Sequence, residues 1–213
     1  MWRMALICAA AVLAGCNIVT STTPMFTAAD ARGQVQLRPG LWMTEKADCV
    51  FDTRLPLASW PDCTDSWVIR PGAIVGGRES GAPPSSWKVY RTVVARNDPP
   101  VLQVALDGGP GESQLYYVYA GLKPLKLDDR GRIVEYRYWL ALCGPPPASD
   151  PTGDASQTVT AHPIDGLVID KENHDCIASA PGPVRVSARE SEAWTDADEL
   201  GRDRARWVRD GEN

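Results

Sequence analysis

The sequence predicts a mainly β protein, an antiparallel β-sandwich or barrel with one helix near the C-terminus. Three observations carry this. Runs of β-branched and aromatic residues alternate at period two, as pleated, half-buried strands require. They are separated by turn-forming stretches that draw on 18 Gly and 18 Pro. Helical spacing is clear only after Pro183, whereas a parallel α/β sheet needs helical segments between its strands.

In chain order, Leu41 to Lys46 and Ser66 to Arg70 are the first two candidate strands. Trp87, Val89, Arg91 and Val93 then alternate with Lys88, Tyr90, Thr92 and Val94. Asn97-Asp-Pro-Pro100 turns the chain, and Val101 to Leu106 alternates again. Past a Gly/Pro loop from Asp107 to Glu112, Leu115 to Tyr119 forms a further strand. Lys126 to Leu142 reads as a hairpin, with Gly131 placed where its turn calls for a positive φ. Beyond the turn, Ile133, Glu135, Arg137 and Trp139 face away from Val134, Tyr136, Tyr138 and Leu140. The charged set is expected to meet solvent and the Val/Tyr/Leu set to be buried. Gly144 to Pro163, with five Pro, is a surface loop, and Leu167-Val-Ile169 is a short apolar run leading to Cys176. Val184, Ala188, Ser191 and Trp194 fall on one helical face. Arg202 to Arg209 fits a last strand or a further helical turn.

The N-terminus supplies an address. Arg3 precedes an unbroken apolar run from Met4 to Leu13, the pattern of a signal peptide. That run is about half of the ~20 residues a membrane-spanning helix needs. Leu13-Ala14-Gly15-Cys16 closes it and resembles the lipobox of bacterial lipoproteins. The resemblance implies that Cys16 is the lipidation site, joined to diacylglycerol and made the new N-terminus by cleavage. Several acyl chains on one residue give stable anchoring, since each buried CH₂ contributes about 0.8 kcal/mol. By the family's sorting pattern, Asn17 after the Cys favours the outer membrane, so the expected location is the cell envelope, facing the periplasm. Residues 17–34, rich in Ser, Thr and Ala, have the composition of a tether. A flexible chain of that length reaches roughly 25 Å. The expected organisation is a signal peptide (1–15), a lipidated flexible tether (16–37) and one disulfide-stabilised β domain (38–213).

Removal of residues 1–15 leaves 198 residues with 21 basic and 27 acidic side chains, net −6. An acidic balance without a basic run argues against a nucleic-acid partner and against electrostatic binding to anionic lipid. Four cysteines then remain beside Cys16: Cys49, Cys63, Cys143 and Cys176. An even number in an exported chain reads as two disulfides. Of three possible connectivities, Cys49–Cys63 and Cys143–Cys176 are expected, because each pair brackets a turn-rich stretch. No C-x-x-C spacing supports zinc, and no other metal or cofactor is expected.

No catalytic motif survives inspection. Leu106-Asp-Gly-Gly-Pro-Gly-Glu-Ser113 is similar to the Gly-Gly-Pro-Gly oxyanion loop of some α/β-hydrolase peptidases. Those enzymes also need a G-x-S-x-G elbow, and Gly77-Arg-Glu-Ser-Gly81 has its Ser one place late. His174 lies near Asp170, Glu172 and Asp175, but the stretch reads more simply as a polar turn. Glu79, Glu112 and Glu135 offer carboxylates that sequence alone cannot pair across a cleft.

The distinctive stock is aromatic. Apart from Trp2 there are seven Trp, with six Tyr and only two Phe. Trp and Tyr join an apolar body to a polar tip, which suits a half-wet cavity or an interface as well as a core. Tyr116, Tyr136, Tyr138 and Trp139, on strands expected to be neighbours, are the candidate binding residues. The expected function is a membrane-tethered binding or assembly module that recognises an envelope protein or an apolar small molecule. The alternative is a periplasmic hydrolase without a recognisable motif.

Overall fold

The computed structural model describes residues 17–45, 49–61, 63–76, 87–107, 115–146, 160–170, 175–195 and 204–211. The strands in chain order are β1 (Val19–Ser21), β2 (Gly40–Glu45), β3 (Thr64–Arg70), β4 (Ala73–Gly76), β5 (Lys88–Ala95) and β6 (Val101–Asp107). They continue with β7 (Leu115–Leu127), β8 (Ile133–Leu140), β9 (Leu167–Ile169), β10 (Cys176–Ala178) and β11 (Arg204–Arg209), and helix α1 (Pro181–Trp194) lies between β10 and β11.

Eight antiparallel strands close into a barrel in the order β2-β3-β4-β5-β6-β7-β8-β11, and β11 returns to β2. The closing register pairs Trp207 with Trp42 on one side and Ala205 with Tyr136 on the other. Arg204–Arg209 is therefore a strand, and it removes the two open edges that would otherwise expose unpaired backbone. The small strand β4 was not visible as a separate alternation. β7 also runs eight residues past Tyr119. It accommodates Pro124, which has no N–H for the ladder, at a register shift just before Lys126.

Alternation divides the side chains into an inner face and an outer face. At one end of the barrel Trp42, Ile69, Val94, Leu102, Ala120, Leu122, Tyr136 and Ala205 fill the interior. Two separate layers cover the outer wall. Over β2 to β4, Leu57 and Trp60 from the Cys49–Cys63 loop pack on Leu41, Met43, Val68 and Val75. Over β5 to β8, the N-terminal segment and α1 build a cluster that includes Val19, Phe26, Val101, Tyr119, Val184 and Ala188. The second disulfide, Cys143–Cys176, sits within this cluster.

The segment expected to be a tether is part of the domain. β1 pairs antiparallel with β7 and parallel with β10, while β10 pairs with β9, so a three-stranded flap extends the sheet beyond the barrel. Val19 and Phe26 are buried. The buried Gln103 side chain accepts hydrogen bonds from the Met25 and Phe26 N–H groups and donates to the Phe26 carbonyl. Asn17 is held on both sides: its amide donates to the Gly144 carbonyl, and its side-chain oxygen accepts from the Thr160 N–H. A composition of Ser, Thr and Ala does not reveal this, because the partners lie about 80 to 140 residues away in sequence.

α1 buries Val184, Ser187, Ala188 and Ser191, the i, i+3, i+4, i+7 stripe of an amphipathic helix. Pro181 opens it, where a missing N–H costs nothing. Ser187 donates to the Leu142 carbonyl and Ser191 accepts from the Leu142 N–H, which fixes the helix against the chain leaving β8.

At the base of the flap, burial pushes the Asp175 carboxyl up to about 6, with the nearby Asp170 charge adding to the rise. Among the described residues, one of its oxygens is buried without a hydrogen-bond partner. The folded state thus holds the proton more tightly than the unfolded chain, so stability falls as pH rises from about 4 through 6. Asp175→Asn is expected to stabilise the protein by about 1–2 kcal/mol at pH 7.5, after discounting for partial solvent contact, and to gain nothing near pH 3.5. Urea unfolding at the two pH values checks this, and an equal gain at both would mean that the carboxylate charge is not the cause.

Candidate binding site

The inner face of the barrel changes character along its length. Beyond the filled end come Trp67 on β3, Tyr90 and Thr92 on β5, Val104 and Leu106 on β6, Tyr116 and Val118 on β7, and Tyr138 and Leu140 on β8. All of them point inward by strand alternation and register, and all are at least partly exposed. Exposure reaches 38% at Tyr116 and 44% at Leu140. Among the described residues, apolar side chains that face the barrel interior and still meet solvent mark this as the open end.

The boundary between the two halves is polar at one point. Tyr136 is buried against Trp42, with ring centroids 5.1 Å apart, and lies 6.0 Å from Tyr138. Its hydroxyl is hydrogen-bonded to the Trp67 side chain, the indole N–H being the donor. Burial pushes the Tyr136 phenol far above its ordinary value, with the neighbouring Tyr138 adding to the rise, so it stays protonated. It keeps an O–H to offer at the floor of the open half. Thr44, Asp65 and Lys88 follow the same inward parity at the rim.

Of the four residues singled out from sequence, the fold brings Tyr116, Tyr136 and Tyr138 onto one inner face across the β7–β8 pair. Trp139 does not join them. It faces outward and is buried beneath α1, where its indole N–H donates to the Ala188 carbonyl at 2.7 Å. The expectation that the Glu135/Arg137 face meets solvent is corrected with it. Arg137 pairs with Glu192 of α1, and Glu135 pairs with Arg204. The Val/Tyr/Leu set is not uniformly buried either, because Leu140 reaches the open end. Sequence reasoning missed Trp67, Tyr90, Thr92, Val104 and Val118 as cavity residues. Their signal was present, since each lies in an alternating run, but alternation does not say which face closes inward.

A second concavity of about 360 Å³ lies at the filled end, lined by Arg38, Lys126, Asp128, Val134, Glu135, Arg206 and neighbours. Its carboxylates are already committed, Asp128 to Arg132 and Glu135 to Arg204. Arg38 stacks 3.5 Å from the Trp207 ring centroid. Of the other residues weighed from sequence, Cys16, Glu79, Glu112, Glu172 and His174 lie outside the described residues. His162 is exposed. Among the described residues no group of three or more His, Cys, Asp or Glu side chains is placed to hold a metal ion.

Compared with family models, curated proteins and solved structures, the chain finds no match.

Proposed function

We propose that the chain is a binding module of the cell envelope, anchored by lipid at Cys16 in the outer membrane and facing the periplasm, whose barrel takes up an apolar small molecule. The observation that supports this reading is the half-open interior: apolar and aromatic side chains on five strands that face inward and remain in contact with solvent. An eight-stranded barrel has room for its own side chains or for one small ligand, and here the buried side chains among the described residues fill one end. A ligand with an apolar or aromatic body would exclude water from Val104, Val118, Tyr90 and Tyr138. The Tyr136 hydroxyl at the floor and the Thr44, Asp65 and Lys88 side chains at the rim offer hydrogen bonds for polar groups at either end.

The test is native mass spectrometry of the mature chain carrying Cys16→Ser, isolated from an oxidising compartment. The expected result is a co-purifying apolar species that is lost on denaturation. Tyr138→Ala should weaken its retention by about tenfold, as removal of an aromatic anchor commonly does. Leu106→Asp at the rim should lower it as well. A clean, unliganded mass, together with anilinonaphthalene sulfonate fluorescence that neither variant changes, would rule out the barrel as a ligand site.

A further inference from the structure

The flap carries a surface that the barrel core does not use. Thr20 pairs with Val118 and with Ile177, and Ile177 pairs with Val168, so all four lie on the same side of the sheet. Val118 is an inner-face residue of the barrel. The opposite side of the flap, with Val19, Cys176 and Ala178, is buried in the cluster beneath α1. The inner face of the barrel therefore continues past the mouth onto the flap, where its side chains stay exposed among the described residues. Ile177 is 40% exposed and Val168 66%. Ile18, bridged to Leu142, lies on this side too. With Tyr116 and Leu140 at the mouth, these side chains form one mostly apolar ramp, in which Thr20 supplies a hydroxyl.

The position of Asn17 says what this ramp meets. Asn17 is buried, its side chain bonded to Gly144 and Thr160, and its carbonyl accepts from the Cys143 N–H. Cys16 is the residue before it, so its Cα lies only about 3.8 Å from that of a locked residue. Ile18 is the next residue along, and it is already on the ramp. An acylated Cys16 leaves no length of chain to hold the domain away from the lipid.

We infer that the ramp formed by Ile18, Thr20, Ile177, Val168, Leu140 and Tyr116 rests on the lipid surface in which Cys16 is anchored, with the barrel mouth opening at that surface. This inference depends on the lipid-anchor reading. The domain sits in one orientation, and an apolar ligand passes between bilayer and barrel without crossing bulk water. The ramp needs no cationic patch for this, in keeping with the acidic balance of the chain. Its affinity comes from apolar contact added to the acyl chains.

The test uses the acylated mature protein reconstituted into vesicles of phosphatidylethanolamine and phosphatidylglycerol, with a spin label at Val168→Cys. A second label at Ile177→Cys gives an independent reading if the first variant folds poorly. The control is Val89→Cys, on the outer wall two strands from β7. Docking predicts that the labels at 168 and 177 collide with oxygen far more than with a water-soluble nickel chelate, with the ratio reversed at 89. Labels at 168 and 177 that are open to the nickel reagent would overturn the docking. So would labels shielded from both reagents, which would place protein on the ramp instead. Intact mass separates these failures from failure of the anchor. If Cys16 is acylated, only the docking falls; if Cys16 is unmodified, the anchor reading fails and the docking falls with it.

Discussion

Trp139→Ala is expected to lower the stability of the protein by about 3–5 kcal/mol, the range for deleting a fully buried Trp. The side chain is 1% exposed and fills the space between the outer face of β8 and α1. Its cross-strand partner is Gly121. A Cβ at that position would come within 2.5 Å of the indole, so the glycine is what lets the ring lie flat over β7. Gly121→Ala should accordingly cost about 1–3 kcal/mol by overpacking. The two effects share one volume and cannot add: the double variant should be no less stable than Trp139→Ala alone. Trp139→Phe, which keeps most of the ring and loses the bond to Ala188, should cost less, about 1–2 kcal/mol. Urea unfolding of the four variants measures all of this. A loss below about 1 kcal/mol for Trp139→Ala would mean that the residue is a surface group, as its proposed place in a binding face required.

Replacing Cys143 and Cys176 together by Ala is expected to cost about 4 kcal/mol, from the loop-closure entropy of a bridge spanning 33 residues. The bridge also has a local effect. The N-terminal segment runs between its two ends, since the Cys143 N–H donates to the Asn17 carbonyl and the Cys176 N–H to the Ile18 carbonyl. Without the disulfide those bonds remain, but nothing holds the two sides of the clamp together. Tryptic cleavage at the exposed Arg32 should therefore accelerate in the double variant, while cleavage of the barrel follows only global unfolding. The shorter Cys49–Cys63 loop should contribute about 3 kcal/mol on the same reasoning and leave Arg32 protected. A loss under about 1 kcal/mol, or equal protection of Arg32 in both variants, would show that β1 holds its place without the bridge.

The two experiments bear on function through one piece of geometry. α1, Trp139 and the Cys143–Cys176 bridge lie on the outer side of β7 and β8, opposite the inner-facing Tyr116, Tyr138 and Leu140. They hold rigid the wall that carries the proposed ligand site. At the bridge, the Cys143 N–H also holds the Asn17 carbonyl.

The strands were determined by sequence wherever period-two alternation was long enough. Val101–Asp107 and Ile133–Leu140 follow directly from residues that can be read one by one. The helix was equally plain, because Val184, Ala188 and Ser191 mark its buried stripe without reference to anything else. Both cysteine pairings followed from the turn-rich stretches between them. These are local properties, set by backbone geometry and by which side chains prefer to leave water.

The tertiary structure decided what local chemistry leaves open. Barrel closure depends on β11 meeting β2 across more than 150 residues, and no residue in Arg204–Arg209 names its partner. Alternation gives β8 two faces but no inside. Trp139 is buried beside charged neighbours because α1 covers it, and Leu140 is exposed on the inner face because the barrel is open there. The Ser- and Thr-rich N-terminal segment has little to bury by itself and reads as free chain. It becomes core only because Gln103 supplies hydrogen bonds to its backbone and α1 covers Val19 and Phe26. Burial is a relation between distant segments, so the sequence of one segment cannot state it.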